Sequence, residues 1–320
     1  MGDLENRAIA AAIPMFFRGV TDAVSTMLVE HWWLQEHGCY EYDQGGRTFE
    51  WRIRQSRGSP IGYTGIEGKT FAPRNDYIVA SLPWRGIADG IVITWQEWKQ
   101  IKGKEAIFKF VPQLLEDLRS DLMDAFGTDF HGDGTGRNGK TYHGIKASVY
   151  NNLTYAGLSQ TTYPNFAAQV IDGTGFTTDP LAKLLSAKIA AAKGQKGGRS
   201  RNQLSLFLAN ETDYQVVVNT QEGKQRFVQD QAMLKAGFGD NVMVHNVPLA
   251  WSEYAVDAEN RIYGLNHNLF KVLCTTEELF ESFTEWTVGL PKVYLGIGVS
   301  NFNLVNMNPR GSVVIENTTS

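Results

Sequence analysis

The 320-residue sequence predicts an α+β fold: an N-terminal arm, an extended β-hairpin, one long helix, a compact α/β block and closing strands. Three observations predict it. Residues 105–126 carry apolar side chains at three- and four-residue steps. Residues 47–95 alternate apolar and polar side chains in short runs set between glycines. From residue 145 onward, helical and strand patterns follow one another in turn.

The arm comes first. Residues 4–36 read as helix in pieces, interrupted near Pro14 and Gly19. Val20, Val24, Met27, Leu28 and Leu34 form its stripe, with Trp32 and Trp33 at its end. Large apolar groups on a terminal arm need a surface to lie on, and a second copy of the chain is expected to supply it. In the next stretch Phe49, Trp51 and Ile53 alternate with Glu50, Arg52 and Arg54, the period of a strand. Arg57-Gly58-Ser59-Pro60 and then Gly62, Gly65 and Gly68 have little to bury. Tyr77, Val79, Ser81 and Pro83 return as a second strand, and Ile91–Trp95 makes a third. A two-stranded ribbon alone is marginal in water, so the hairpin is expected to rest on a neighbouring molecule.

The long helix is read from Glu97 to Phe126. Ile107, Val111, Leu114, Leu115, Leu118, Leu122 and Phe126 occupy one side, and Glu116, Asp117, Arg119, Ser120, Asp121 and Asp124 the other. Gly127 is expected to cap it in the left-handed conformation. Counted from Glu105 the rod is about 33 Å long at 1.5 Å per residue. Gly132–Gly144 is a polar, Gly-rich loop. In the block beyond it, Asp179 caps a helix that has Pro180 at its first position, a Leu181, Leu184, Leu185, Ile189 stripe, and Gly194 at its end. Leu204–Leu208 reads as a buried strand, Tyr214–Val218 and Phe227–Lys235 as helical pieces, and Val242–Trp251 as one strand. Arg261–Tyr263 and Leu269–Leu273 give two more, and Val293–Ile297, Phe302–Met307 and Val313–Glu316 close the chain. If these closing strands pair with the strand near residues 91–95, the α/β block is an insertion between two halves of one elongated domain.

Hydrophobic content of 42% and aromatic content of 12% supply ample core and exclude global disorder. A net charge of −4 argues against gripping nucleic acid by charge neutralisation, though not against enclosing it. Two cysteines, Cys39 and Cys274, form neither a disulfide framework nor a zinc site, which fits a reducing cytoplasm. Asp3 and Glu5 precede the apolar run Ile9–Phe17, Pro14 interrupts it and Arg18 follows, so the N-terminus is not read as a signal peptide. No apolar run is long enough to cross a membrane.

Several patterns imitate chemistry. Gly134 to Thr141 matches G-x-x-x-x-G-K-T, with Lys140 as the lysine. A phosphate cradle needs a strand before this pattern and a helix after it. Here a helix precedes, and Tyr142-His143-Gly144 follows, so the stretch is read as a loop between domains. Asp129, His131 and Asp133 have ligand-type side chains but are too few for a firm metal site. His31, His37, His245 and His267 stand beside no nucleophile motif and are read as structural. Lys193, Lys196, Arg199 and Arg201 form a basic loop, read as solvated surface, and Trp84, Trp95 and Trp98 are read as packing anchors. No catalytic, cofactor-binding or metal-binding residue is assigned, and no cofactor is expected.

In this order of elements, the chain resembles the major capsid protein of tailed bacteriophages, the Hong Kong 97-type fold that encapsulin compartments share. Local phrases carry the resemblance as well: Asp117-Leu118 through Phe130, Gly132-Asp133-Gly134-Thr135, Gly144-Ile145, Arg261-Ile262-Tyr263-Gly264-Leu265-Asn266 and Asn308-Pro309-Arg310-Gly311. The resemblance implies an N-terminal arm at 1–43, an extended loop at 44–90 lying over the adjacent subunit, and a peripheral domain at 91–144 with a spine helix. It further implies an axial domain at 145–286, and closing strands of the peripheral domain at 287–320. It implies a non-enzymatic protein that assembles through hexamers and pentamers into an icosahedral shell around double-stranded DNA, in the host cytoplasm and without membrane contact. Portal, decoration and scaffolding proteins are the implied partners. Some members lose an N-terminal scaffolding segment to a protease, and the short arm here is expected to remain uncleaved. Others cross-link an extended-loop lysine to a neighbour's asparagine. Lys69 is the only lysine near the hairpin tip, and no cross-link is assigned to it. An encapsulin-like compartment is the alternative within the fold, and a P-loop nucleotide-binding enzyme the alternative outside it.

Overall fold

The structure is a computed structural model. It describes residues 15, 16, 19–21, 23, 24, 27–55, 76–94, 96, 104–194, 203–222, 229–239, 241–255, 260–286 and 293–318. Three packed regions organise it.

The first region joins the arm, the long helix and a five-stranded sheet. Helix α1, Val29–Glu36, ends the arm. The sheet contains β1 (Tyr40–Glu41), β4 (Arg85–Thr94), β12 (Phe270–Cys274), β13 (Glu281–Trp286) and β14 (Val293–Asn306). Strand β14 is its spine: β4 pairs along one edge of it, while β13 and then β12 share the other. The pairing expected between the closing strands and the strand near residues 91–95 is therefore present, from Val293↔Thr94 to Phe302↔Arg85. The tail differs from expectation in being one 14-residue strand over 293–306 rather than two. Gly296 and Gly298 dilute its apolar pattern, and a Cβ on the facing Gly90 would lie 2.6 Å from the Gly296 carbonyl oxygen. The glycines there serve close strand approach, not a break.

Helix α2 runs over Lys104–His131, 28 residues and about 42 Å at 1.5 Å each. Leu118, Leu122, Phe126 and Phe130 are buried at four-residue steps, as the stripe requires. Ile107 and Val111 lie outside the described side chains, and residues 97–103 outside the described residues. Gly127 does not cap the helix. A Cβ there would fall 2.3 Å from the Tyr254 ring, so the glycine opens space for that ring while the helix continues another turn. The left-handed glycine that ends the passage is Gly134, at φ 83°.

The second region is a six-stranded sheet in the order β7-β15-β11-β8-β10-β9. These are Gln169–Asp172, Val313–Glu316, Arg261–Leu265, Leu206–Ala209, Val247–Trp251 and Asn241–Val244. Four helices belong to this part of the chain: α3 (Ile145–Ser148), α4 (Pro180–Gly194), α5 (Glu211–Glu222) and α6 (Gln231–Lys235). Phe207, Ala209, Val313 and Ile315 face Leu184, Ala187 and Val217 of α4 and α5, while Leu206, Leu208 and Val314 face the core shared with α1 and α2. A sheet buried on both faces explains the unbroken apolar run at 206–209. Asp179 accepts from Ala182 N–H at 3.3 Å, the N-cap expected before Pro180.

Three expectations are corrected here. Val242–Trp251 is a hairpin, because His245 and Asn246 both have positive φ (52° and 63°) and turn the chain in two residues. The final strand β15 does not stay with the peripheral sheet. It sits between β7 and β11, completing the six-stranded sheet. Conversely, β12 and β13 lie in the five-stranded sheet although they precede residue 287. Hydrogen-bond partners far away in sequence decide both placements.

The third region is the root of the hairpin, β2 (Thr48–Arg54) against β3 (Tyr77–Pro83), in register from Thr48↔Pro83 to Arg54↔Tyr77, with the short pair β5 (Thr154–Tyr155) and β6 (Leu158–Ser159) in the same core. Gln55 N–H donates to the Asp76 carbonyl at 2.7 Å, and the tip beyond lies outside the described residues. Residues 85–90, expected in the hairpin, belong to β4 and hence to the five-stranded sheet.

Candidate assembly interface

The pleat divides the hairpin root into two faces. Trp51, Ile53, Ala80 and Leu82 are buried against Tyr155, Phe166 and Val305 of the same chain. Arg52, Arg54, Tyr77 and Val79 point the other way, Tyr77 at 59% and Val79 at 53% exposure. A one-residue shift in register would exchange these faces, so the inner packing fixes what is presented outward. On β4, Val92 is likewise exposed at 59% between buried Ile91 and Ile93. The expectation that the root rests on a neighbour is corrected: its own body carries it.

The arm is corrected in the same way. Val20, Val24, Leu28, Val29, Trp33 and Leu34 are buried in the chain's own core, beside Leu122, Phe126 and Phe270. Trp33 meets Phe270 edge-on at 6.1 Å. Among the described residues of the arm, Met15 and Met27 face outward.

A buried polar joint ties α1 to the end of α2. The Glu30 carboxylate lies 3.0 Å from His131 Nε2, with both side chains almost wholly enclosed. Burial raises the Glu30 pKa, but the hydrogen bond and charge of His131, with Ser252, outweigh it and hold the carboxyl below its ordinary value. Next to it His31 is set between the rings of Phe126 and Phe130, its Nδ1 2.8 Å from the Tyr40 hydroxyl. Burial pushes its pKa down to about 4, so the ring is neutral. Asp129 forms a 3.2 Å ion pair with Arg137, yet burial still raises its carboxyl to about 6. Asp133 accepts from Thr135 N–H at 2.9 Å and from its hydroxyl at 2.6 Å. Asp129, His131 and Asp133 thus turn to three different partners. Among the described residues no group of three His, Cys, Asp or Glu is placed to hold a metal ion.

The P-loop-like stretch wraps the carbonyl end of α2, where the helix dipole is negative and repels phosphate. A Cβ on Gly144 would lie 2.3 Å from the Asp129 and Phe130 carbonyl oxygens. Gly134 packs under the His143 ring, and Gly136 against the Thr141 methyl, so these glycines answer to local packing. Arg137 and Asn138 are left-handed, and no helix of useful length follows. Thr141 is buried and Lys140 is exposed.

The other polar residues have local work. His37 stacks on His267 at 4.2 Å, and His245 Nε2 sits 3.0 Å from the Leu181 carbonyl oxygen. Burial pushes the Cys39 and Cys274 thiols up to about 12, leaving them un-ionised. Trp84 donates its indole N–H to Gly46 O at 2.8 Å, an anchor as expected. Lys193 is exposed at the end of α4; Lys69, Trp95, Trp98, Lys196, Arg199 and Arg201 lie outside the described residues. A cleft of about 260 Å³ opens between Met27–Glu30, Phe238 and Trp251–Tyr254, below the usual size of a ligand pocket. No described helix is long and apolar enough to cross a membrane.

No protein-family model matches the sequence, and no curated protein does. Solved structures do match. The capsid asymmetric unit of cyanophage A-1(L) superposes with a TM-score of 0.64 over 87% of this chain and 90% of that one, at 16% identity. The chain has the capsid fold of tailed phages. The capsid of Myoviridae phage XM1 gives a TM-score of 0.57 over 88% and 90%, at 10% identity. The holo-SrpI encapsulin complex from Synechococcus elongatus gives 0.50 over 76% and 77%, at 11% identity.

Proposed function

We propose that this chain is a structural, non-enzymatic major capsid protein, which self-assembles through hexamers and pentamers into an icosahedral shell enclosing a double-stranded phage genome. The agreement with phage capsid subunits over nearly nine-tenths of the chain carries the reading. The hairpin supports it: an internally braced element that presents Tyr77 and Val79 outward is made to be covered by another molecule. A stable contact buries about 1,600 Å², and a shell multiplies modest contacts by closure. The net charge of −4 suits a wall that surrounds DNA without adhering to it. The shell assembles in the host cytoplasm and resides in the virion. Scaffolding, portal and decoration proteins are its further partners, and no cofactor or metal takes part.

Size decides between this and an enzyme. The purified chain is expected to elute at megadalton size and to appear as hollow, closed particles by negative-stain microscopy. A monomer or dimer that binds ATP, with binding abolished by Lys140→Ala, overturns the proposal. Particles isolated from cells and found to hold a protein cargo in place of DNA favour the encapsulin-like compartment.

A further inference from the structure

Three separate segments build the cleft of about 260 Å³ beside the arm: Met27–Glu30, Gly237–Gly239 and Ala250–Tyr254. Its walls are aromatic. Phe238, Trp251 and Tyr254 line it, and each is only partly buried. The walls are also fixed. Phe238 N–H donates to Met233 O at 3.0 Å, Asn241 Nδ2 donates to Phe238 O at 2.5 Å, and Trp32 tilts against the Phe238 ring at 5.4 Å. Tyr254 N–H donates to Ser252 Oγ at 3.3 Å.

The charge of the lining has one sign. Glu30 and Glu253 belong to it, and no lysine, arginine or histidine does. Glu30 is buried and matched by His131. Glu253 is exposed and has no cationic partner among the described residues. Its carboxylate and that of Asp124 converge on the Tyr254 hydroxyl, which has one proton and donates it to Asp124 at 2.8 Å. Burial, and then these two carboxylates, hold the phenol well above its ordinary value, so the proton stays. Arg119 touches the Met27 sulfur at 3.7 Å, but it is paired with Glu116 at 3.6 Å. An aromatic hollow with an unmatched carboxylate at its mouth suits a cation on an apolar stem, because ring faces and carboxylate attract the same sign of charge.

We propose that this cleft is a binding site for a small organic cation, an alkylammonium or alkylguanidinium compound, with its stem between Phe238 and Trp251 and its charge toward Glu253. The volume lies below that of a drug-sized ligand and suits a short one. One chain supplies every wall, so the site does not depend on the shell.

The probe is n-butylguanidinium, titrated against the full-length chain by saturation-transfer NMR, with n-butylurea as its neutral isostere. The cation is expected to bind saturably at about 1–10 mM, and about fivefold or more tightly than the urea. Trp251→Leu and Glu253→Gln should each weaken it about threefold or more, and added salt should weaken it too. If Trp251→Leu does not fold, Glu253→Gln decides, because that position is exposed. Binding that never saturates, equal binding of the urea, or undiminished binding by Glu253→Gln overturns the proposal. Binding by unassembled subunits that is lost in assembled particles overturns it as well, since another chain then fills the cleft.

Discussion

The Glu30 carboxylate on α1 lies 3.0 Å from the Nε2 of His131, the last residue of α2, and the two side chains close the joint between arm and long helix. A buried hydrogen bond to a carboxylate is costly to break from one side, because the surviving partner is left without compensation. We expect Glu30→Gln to lower stability by about 3 kcal/mol, and His131→Gln to do likewise. In the double variant the losses should not add: a coupling of about 1–3 kcal/mol is expected from denaturant melts of all four proteins. Additivity would show that the pair stabilises nothing jointly.

His31 gives the joint a pH dependence of known sign. Its folded pKa is about 4 against an ordinary 6.5, so the unfolded chain binds the extra proton first. Its contribution is intact above pH 6.5 and is lost as pH falls toward 4, by about 3 kcal/mol at 1.36 kcal/mol per pKa unit. The stability advantage of wild type over His31→Gln should shrink by that amount between pH 7 and pH 4. A constant difference across this range contradicts the assignment.

Asp129 acts in the opposite direction. Its folded pKa, raised to about 6 from 3.8, means that the ionised carboxylate is penalised above pH 6 and relieved as pH falls. Asp129→Asn should therefore stabilise the protein by about 1–2 kcal/mol at pH 8, and the gain should disappear near pH 4. Destabilisation at pH 8 would mean that the Arg137 pair outweighs burial.

Gly127→Ala separates helix propensity from packing. In an exposed helix the change gains about 1 kcal/mol. Here the Tyr254 ring occupies the space, held by its hydroxyl donating to Asp124 Oδ1 at 2.8 Å. We expect a loss of about 1–3 kcal/mol by thermal or denaturant melts. In a Tyr254→Ala background the sign should reverse; a loss in both backgrounds points to another obstruction.

Removing residues 56–75 and joining Gln55 to Asp76 through Asn-Gly tests the hairpin tip. Gln55 N–H and Asp76 O are 2.7 Å apart, so a two-residue turn closes the gap. The subunit should keep its circular dichroism and melting midpoint but form no ordered shells in electron micrographs. Normal shells would remove the tip from assembly.

Much of the fold was legible because periodicity is a local property. The stripe Leu118, Leu122, Phe126 marked α2, the alternation Phe49, Trp51, Ile53 marked β2, and Asp179-Pro180 marked the start of α4. Gly127 misled because a glycine that ends a helix and one that admits a neighbouring ring look alike in sequence. The His245-Asn246 turn was missed because neither residue is glycine. The polar joint gave no signal, since Glu30 and His131 are 101 positions apart and each resembles an ordinary surface residue.

By itself, then, the sequence determined the long helix α2, the alternating strand β2 and the start of α4, and that the chain carries an arm and a hairpin. Only the tertiary structure decided what those limbs lie against. The arm and the hairpin root are buried on their own body, and the last strand crosses into the six-stranded sheet. The reason is that burial and strand pairing are relations between distant residues. A run of apolar side chains states that a partner is needed, and only the folded chain shows whether that partner is itself.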